Sequence, residues 1–382
     1  MNASTRVVDH VDKKIGEFLT SREPILASIA PELAPFGEYS RYLLSGGKRF
    51  RAKFCFWGWE AARSAESRGI QTASTEAGLE WDSQENSPQF DSLMSLASAL
   101  ELFHAAALVH DDIIDNSATR RGMPAAHIRF EELHSAGLWA GSGRAFGRAS
   151  AILLGDLLLA WSDELVAGAL DALASRDSAI ATRAEFNRMR TEVTLGQYLD
   201  ILEENAWPSV VDEDVLSRAD RVIVYKSAKY SVEAPLVLGA LLSGATSEQV
   251  FSLREFGLPL GIAFQLRDDL LGVFGDESLT GKPSGDDLRE GKRTVLIALA
   301  RAGMDDKEKL GFDSRLGSPD LAAADIARLQ ELIVATGAVD RVELSIANYT
   351  RVALERLTAA PLGELAKQEL RQMAVLLTER HS

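Results

Sequence analysis

The sequence predicts an all-α protein, a single large helical bundle around a central apolar cavity. Apolar residues recur at helical spacing along nearly all of the 382 residues, and strand-like alternation is scarce. No repeat of 20–50 residues and no linker divides the chain. A long apolar segment ends in a charged cluster, which points to a greasy pocket with a charged mouth.

The elements follow in order. Val8, Val11, Ile15, Phe18 and Leu19 form a first helical stripe, Pro24 opens a second segment, and residues 38–59 read as a third. Residues 63–90 are rich in Ser, Glu, Gln and Thr and read as a polar surface insertion of a composition that favours disorder. Residues 92–117 form a long apolar helix, and 134–150 a loop rich in Gly and Ser. Helices over 151–174 and 183–202 follow, then 214–243 and 248–274, bent or interrupted at Pro235 and Pro259. A charged loop over 276–291, a helix over 292–302 and a polar stretch over 305–319 lead to three amphipathic helices. These are 321–336, capped by Gly337, then 339–357, and 361–380 with Pro361 in its first turn.

Composition narrows the function. With 46% hydrophobic residues the chain can bury a large core, so 1–382 is taken as one domain. A net charge of −15 argues against a nucleic-acid-binding surface and a polybasic membrane patch. Anionic ligands must then be met by local Lys and Arg or by metal ions. The one cysteine, Cys55, excludes an internal disulfide, fits a reducing compartment and reads as a buried hydrophobe. The start lacks a signal-peptide pattern, and read run by run no apolar stretch reaches the ~18–20 residues of a transmembrane helix. A cytoplasmic protein is expected.

Four charged clusters interrupt the apolar pattern. GGKRFRAKF supplies Gly46, Gly47, Lys48, Arg49, Arg51 and Lys53, where two glycines allow a sharp turn and the cations suit a phosphate. ALVHDDIIDNSATRRG supplies Asp111, Asp112, Asp115, Arg120 and Arg121; Asp111 and Asp115, four apart, share a helix face. Like charges at that spacing weaken a helix by roughly 0.2–0.5 kcal/mol, so a structural helix gains nothing from them and a metal site does. FQLRDDLLGVFGD supplies Gln265, Asp268, Asp269 and Asp276, and GKPSGDDLREGKRT supplies Lys282, Asp286, Asp287, Lys292 and Arg293. Each cluster alone reads as a solvated face. Two Asp-Asp pairs, each ending an apolar helix and each followed by Lys or Arg, suggest two carboxylate walls. Mg²⁺ favours one or two carboxylates plus phosphate oxygens. The chemistry that suits this is ionisation of an allylic diphosphate, with metals on the leaving group and a dry pocket around the carbocation.

On these residues the chain resembles the trans-isoprenyl diphosphate synthases, or polyprenyl synthetases. GGKRFR, ELFHAAALVHDDIIDNSATRRG, the GQ of TLGQYLD, YKSAKY, FQLRDD and GKPSGDDLREGKRT occur in the family's order, from about Glu38 to Thr294. The second Asp motif, with the GKPSGDDLREGKRT segment after it, looks like that of bacterial geranylgeranyl diphosphate synthases. The resemblance implies the isoprenoid synthase type I fold and a homodimer. It implies Mg²⁺ as cofactor, three ions, with Mn²⁺ as a substitute. Isopentenyl diphosphate and an allylic diphosphate (dimethylallyl, geranyl or farnesyl) would be the substrates. Position by position, it implies that Lys48, Arg51, His104 and Arg121 hold isopentenyl diphosphate. Asp111, Asp112 and Asp115 would bind metal, with Asp268 and Asp269 opposite, and Arg120, Lys226, Lys282 and Lys292 would contact the allylic diphosphate. Ser227, where the family often has Thr, would act with Gln197 and Gln265 on the carbocation; the released diphosphate would take the proton. His110 and Lys229 receive no role. One departure stands out: Gly272 replaces the third Asp common in the second motif, leaving open whether Asp276 compensates.

The resemblance implies that product length is set by the residues below the first Asp motif, where the growing tail would descend. Ala107 and Ala106, four and five residues before Asp111, are small, and Phe103 lies eight before, about 12 Å down the helix. A floor at Phe103 favours the C20 product, geranylgeranyl diphosphate, with longer or shorter polyprenyl diphosphates as alternatives. A facing helix, through Leu153, Leu157 or Trp161, could form the floor instead. A class I terpene cyclase would lack GGKRFR and carry an Asn/Ser/Glu-type second motif. A non-catalytic partner subunit would have lost the Asp motifs, and a plain helical scaffold leaves both clusters unexplained.

Overall fold

A computed structural model of the chain describes residues 3–66, 87–120, 122–275, 284–318 and 320–379. They are almost wholly helical, and the only strands among them are two of two residues each. The contacts group into two compact units, residues 1–183 with 238–245 and 363–365, and residues 184–237 with 246–362 and 366–382.

The first unit holds α1 (Ala3–Ile29), a 3₁₀ turn (Pro31–Leu33), α2 (Ala34–Leu43), α3 (Phe50–Glu66) and α4 (Pro88–Ile114). After α4 come a hairpin of β1 (Thr119–Arg120) and β2 (Met123–Pro124), α5 (Ala126–Ala136), α6 (Gly143–Asp171) and the first turns of α7 (Arg176–Ala206). The hairpin pairs Thr119 with Pro124 and Arg120 with Met123. Helix α4 is central and packs against α1, α3, α5 and α6. Ser87 caps it by accepting from the Phe90 N–H at 3.1 Å, and Pro88 fills the first turn, where no N–H is needed. Buried Ser162 of α6 donates to the Ala99 carbonyl at 2.7 Å. Contrary to the sequence reading, α4 is long and apolar enough by composition to cross a membrane, with a window of mean hydropathy 1.5. That window is 83% buried within the fold, so its apolarity serves the core.

The second unit continues α7 and adds a 3₁₀ turn (Trp207–Ser209), α8 (Asp212–Val222), a π-helix (Ile223–Glu233) and the start of α9 (Ala234–Leu242). Then come α10 (Ser247–Phe274), α11 (Asp286–Glu290), α12 (Val295–Ala302), α13 (Asp306–Arg315), α14 (Ala323–Ala335), α15 (Ala338–Ala359) and α16 (Glu364–Thr378). Helix α10 packs against the π-helix and α15. A capping box of Thr246 and Gln249 starts it. Arg267 holds it in place, with two bonds to Glu343 (2.6 and 2.7 Å) and one to the Thr378 carbonyl (3.0 Å).

Several boundaries differ from the sequence reading, for local reasons. Pro24 lies inside α1 instead of opening a helix. The Gly/Ser-rich stretch is mostly helix, because Ser142 caps α6 through the Ala145 N–H at 3.3 Å and the small residues pack. The polar 305–319 stretch holds α13, started by a capping box of Asp305 and Glu308. Pro361 sits in a turn ahead of α16. Of residues 63–90, the first four end α3 and 88–90 begin α4, while 67–86 lie outside the described residues.

Cys55, on α3, is wholly buried, and burial pushes its thiol up from the usual range. The native protein should therefore not react with a thiol reagent such as Ellman's during a time that labels it fully in guanidinium. Equal labelling in both conditions would contradict this packing.

Candidate active site

In the first unit the loop between α2 and α3 turns sharply, with left-handed φ at Gly46 (+66°), Gly47 (+95°) and Arg49 (+49°). Arg49 points inward. It is 5% exposed and donates to Asp12 at 3.0 Å and to buried Glu101 of α4 at 3.3 Å. Glu101 also accepts from the Ala52 N–H at 3.2 Å, in the first turn of α3. Arg49 is thus a clamp that fixes the loop, not a ligand group, while Lys48 is exposed and Arg51 partly so.

Along α4, His104, Ala107, Leu108, Asp111 and Asp115 are the partly exposed residues of one face, spaced three and four apart. Ala106 is fully buried and Phe103 is 5% exposed. Asp112 is different from its neighbours. Its side chain is 1% exposed and accepts from Arg120 Nε at 2.9 Å; Arg120 Nη2 also lies 3.7 Å from Asp111. The hairpin after α4 therefore folds its arginine back onto the aspartates. Arg148 of α6 braces the helix end, donating to Asn116 (2.6 Å) and the Ile113 carbonyl (3.2 Å). Sequence reasoning missed it, since nothing 32 residues away signals the contact. His110 lies 3.2 Å from the Ile152 carbonyl and 3.5 Å from Asp156, a packing role. Of the facing-helix candidates for the floor, Leu153 is 59% exposed, and Trp161 sits edge-on to Phe18 at 6.1 Å.

In the second unit Lys226 and Ser227 sit on the π-helix, whose last bond runs from the Ala234 N–H to the Lys229 carbonyl. Pro235, just beyond, has no N–H for an α-helical bond to Ser231. Two glycines seat this segment. A Cβ on Gly196 would meet the Lys226 backbone N at 2.4 Å, and one on Gly261 the Ala228 carbonyl oxygen at 2.5 Å. Lys226 Nζ donates to Asp200, which is 8% exposed, and Lys292 Nζ lies 3.9 Å from the same oxygen and 3.3 Å from Glu290. Asp200 was not singled out in the sequence, although it stands one turn after Gln197 on α7. Lys229 donates instead to Glu192 at 2.9 Å, and Arg293 is held by Asp313 (2.6 Å) and the Trp207 ring (4.0 Å).

On α10, Gln265 donates to Asp269 Oδ1 at 2.8 Å, one turn on, and Asp268 is partly exposed. Asp269 is 5% exposed, and its Oδ2 has no hydrogen-bond partner among the described residues. Burial, followed by the charges of Asp287, Asp268 and Asp200, pushes its carboxyl up to about 8 against the bond from Gln265. Arg121, Lys282 and Asp276 lie outside the described residues.

No three Asp, Glu, His or Cys side chains among the described residues already converge as a metal cage. A hard divalent cation that takes one or two carboxylates and completes its shell with water and phosphate oxygens does not need one. The unpaired buried oxygen of Asp269 fits such a cation, as do the partly exposed Asp111, Asp115 and Asp268.

A family model described as polyprenyl synthetase matches residues 34–333. A geranylfarnesyl diphosphate synthase from Aeropyrum pernix is 32% identical over 275 residues, 72% of this chain and 78% of its own. A geranylgeranyl diphosphate synthase from Saccharolobus solfataricus is 32% identical over 289 residues, 74% of this chain and 79% of its own. In structure, a geranylgeranyl pyrophosphate synthase from Corynebacterium glutamicum, solved with isoprenyl diphosphate and magnesium, superposes with a TM-score of 0.87. It is 35% identical, with 98% of this chain and 99% of that one covered.

The raised carboxyl of Asp269 has a sign that can be checked. Its folded pKa lies above the unfolded value near 3.8, so its contribution to stability is full below that value and is lost as pH rises toward 8. In chelator, Asp269→Asn should lose less stability than wild type between about pH 5 and 8, read by denaturant titration. Parallel profiles for the two proteins would contradict this.

Proposed function

This chain belongs to the polyprenyl synthetase family and is a trans-prenyltransferase, and from that premise we propose that it joins isopentenyl diphosphate head-to-tail to an allylic diphosphate, with geranylgeranyl diphosphate as the main product. The observation that carries this reading is the pair of aspartate clusters near the ends of α4 and α10, the first closed by Arg120 and the second holding buried Asp269 with an unpartnered oxygen among the described residues. Asp111 and Asp115 on one cluster and Asp268 on the other would hold the divalent ions, with Asp269 beside Asp268. Asp112, buried against Arg120, would mainly orient that arginine. Three Mg²⁺ ions, replaceable by Mn²⁺, would supply Lewis-acid stabilisation of the departing diphosphate.

Charge accounts for the other contacts. Lys226 and Lys292 share Asp200, and the oxygens of an allylic diphosphate would draw both lysines from it, joined by Arg120 and Lys282. Lys48, Arg51, His104 and Arg121 would hold isopentenyl diphosphate. Ser227, Gln197 and Gln265 would direct oxygen dipoles at the allylic cation. Isopentenyl carbon then attacks it, and the departed diphosphate takes the proton lost in forming the new double bond. The protein would act as a homodimer in the cytoplasm. Ile152 and Leu153 of α6, 44% and 59% exposed, are apolar surface of the kind a partner helix covers.

The tail would run along α4 below Asp111, past small Ala107 and Ala106, to Phe103. Incubation with Mg²⁺, isopentenyl diphosphate and C5, C10 or C15 allylic primers should give a C20 product by chromatography. No condensation with any primer would overturn the enzyme reading. Phe103→Ala should lengthen the product by at least one isoprene unit, and an unchanged length would remove Phe103 as the floor.

A further inference from the structure

Helix α10 lacks a carboxylate at Gly272, one turn after Asp268 on the same face. That place is not vacant. A Cβ built on Gly272 would lie 2.0 Å from Asp287 Oδ2 and 2.4 Å from Asp287 Cγ. The carboxylate of Asp287, on α11, therefore sits where a side chain at position 272 would begin. Real Cβ atoms do not approach so closely, so a side chain at position 272 would have to displace the Asp287 carboxylate from the place it holds.

Asp287 is held there by its backbone. Helix α11 starts at Gly285 (φ +73°) and stops at Gly291 (φ +80°), both left-handed. The Asp287 carbonyl accepts from the N–H groups of Gly291 (3.1 Å) and Lys292 (3.0 Å). The next residue, Leu288, is fully buried, and its carbonyl accepts from the Gly317 N–H at 2.9 Å. This short helix carries Asp287 to the flank of α10. An independent feature marks the spot as a cation site. Asp269, more than nine-tenths buried and one turn before Gly272 on α10, keeps one carboxylate oxygen without a hydrogen-bond partner among the described residues. A buried carboxylate in that state is stabilised by a metal ion.

We propose that Asp287 supplies the carboxylate missing at Gly272, so that a divalent cation at the second cluster is bound by Asp268 and Asp287 with Asp269 behind them. This rests on the metal-dependent prenyl-transfer reading.

The test uses Mn²⁺ with inorganic diphosphate, bound Mn²⁺ being read by electron paramagnetic resonance on the full chain. Asp287→Asn, which keeps size and shape, should weaken Mn²⁺ binding about tenfold or more, a loss in the range seen when groups around a metal are removed. Gly272→Asp alone should also weaken it, by pushing against Asp287. The double variant Gly272→Asp/Asp287→Ala, which returns the carboxylate to the helix, should regain most of the wild-type affinity. Wild-type affinity in Asp287→Asn would overturn the proposal while leaving the metal-dependent reading intact. So would a folded double variant that binds no better than Asp287→Ala. Absence of Mn²⁺ binding by the wild type itself would overturn both.

Discussion

Carboxylates set against one another at helix ends are the constraint on which the rest depends. Asp111, Asp112 and Asp115 stand at the C-terminal end of α4, and Asp268 and Asp269 in the last turns of α10. The backbone dipole there is itself negative, and neither helix has a basic residue in its last turn. At both helix ends like charges and the dipole stand together unfavourably, and at Asp269 burial adds to this. Arg120 offsets part of this at the first cluster by closing onto Asp112. At the second, Asp269 is held with its carboxyl pushed up to about 8. Such sites hold a latent affinity for cations, because a bound divalent ion reverses every unfavourable effect at once.

The cations divide by what they serve. Arg49, Arg267 and Arg293 are buried or nearly so and locked to Glu101, Glu343 and Asp313, where they fix the loop before α3, helix α10 and the start of α12. Lys226 and Lys292 instead share one aspartate, Asp200. Glu290 also lies 3.3 Å from Lys292, so both ammonium groups are held by carboxylates, and a lysine moves more readily than a bidentate arginine to meet an anion. Motif membership alone does not distinguish the two sets, since Arg293 and Lys292 are adjacent in sequence.

Much of the fold was legible because helical periodicity and capping residues act locally. The first helix, the Gly337 cap and the apolar run before Asp111 fall where the pattern puts them, although the buried stripe of the first helix runs through Val7, Val11, Ile15 and Leu19, with Val8 and Phe18 only partly buried. The boundaries that slipped involve residues with two uses. Gly and Ser between 134 and 150 read as a loop but also cap and pack α6, and Pro24 is tolerated within α1. The aspartates and lysines stand out in the sequence by type and order. Their partners were not. Arg148 stands 32 residues from Asn116, Asp200 stands 26 from Lys226, and Asp287 comes from a neighbouring helix, so only tertiary packing brings them in. The π-helix beneath Lys226 has no periodicity of its own to find.

The central claim is that these aspartates exist to hold diphosphate through divalent ions. Calorimetric titration of the full-length protein with inorganic diphosphate, in Mg²⁺ and then in chelator, tests it most directly. Binding should be strong with Mg²⁺ and fall to a weak residual, from the lysines and arginines alone, without it. Equal affinity in the two conditions would contradict a role for the carboxylates as metal ligands.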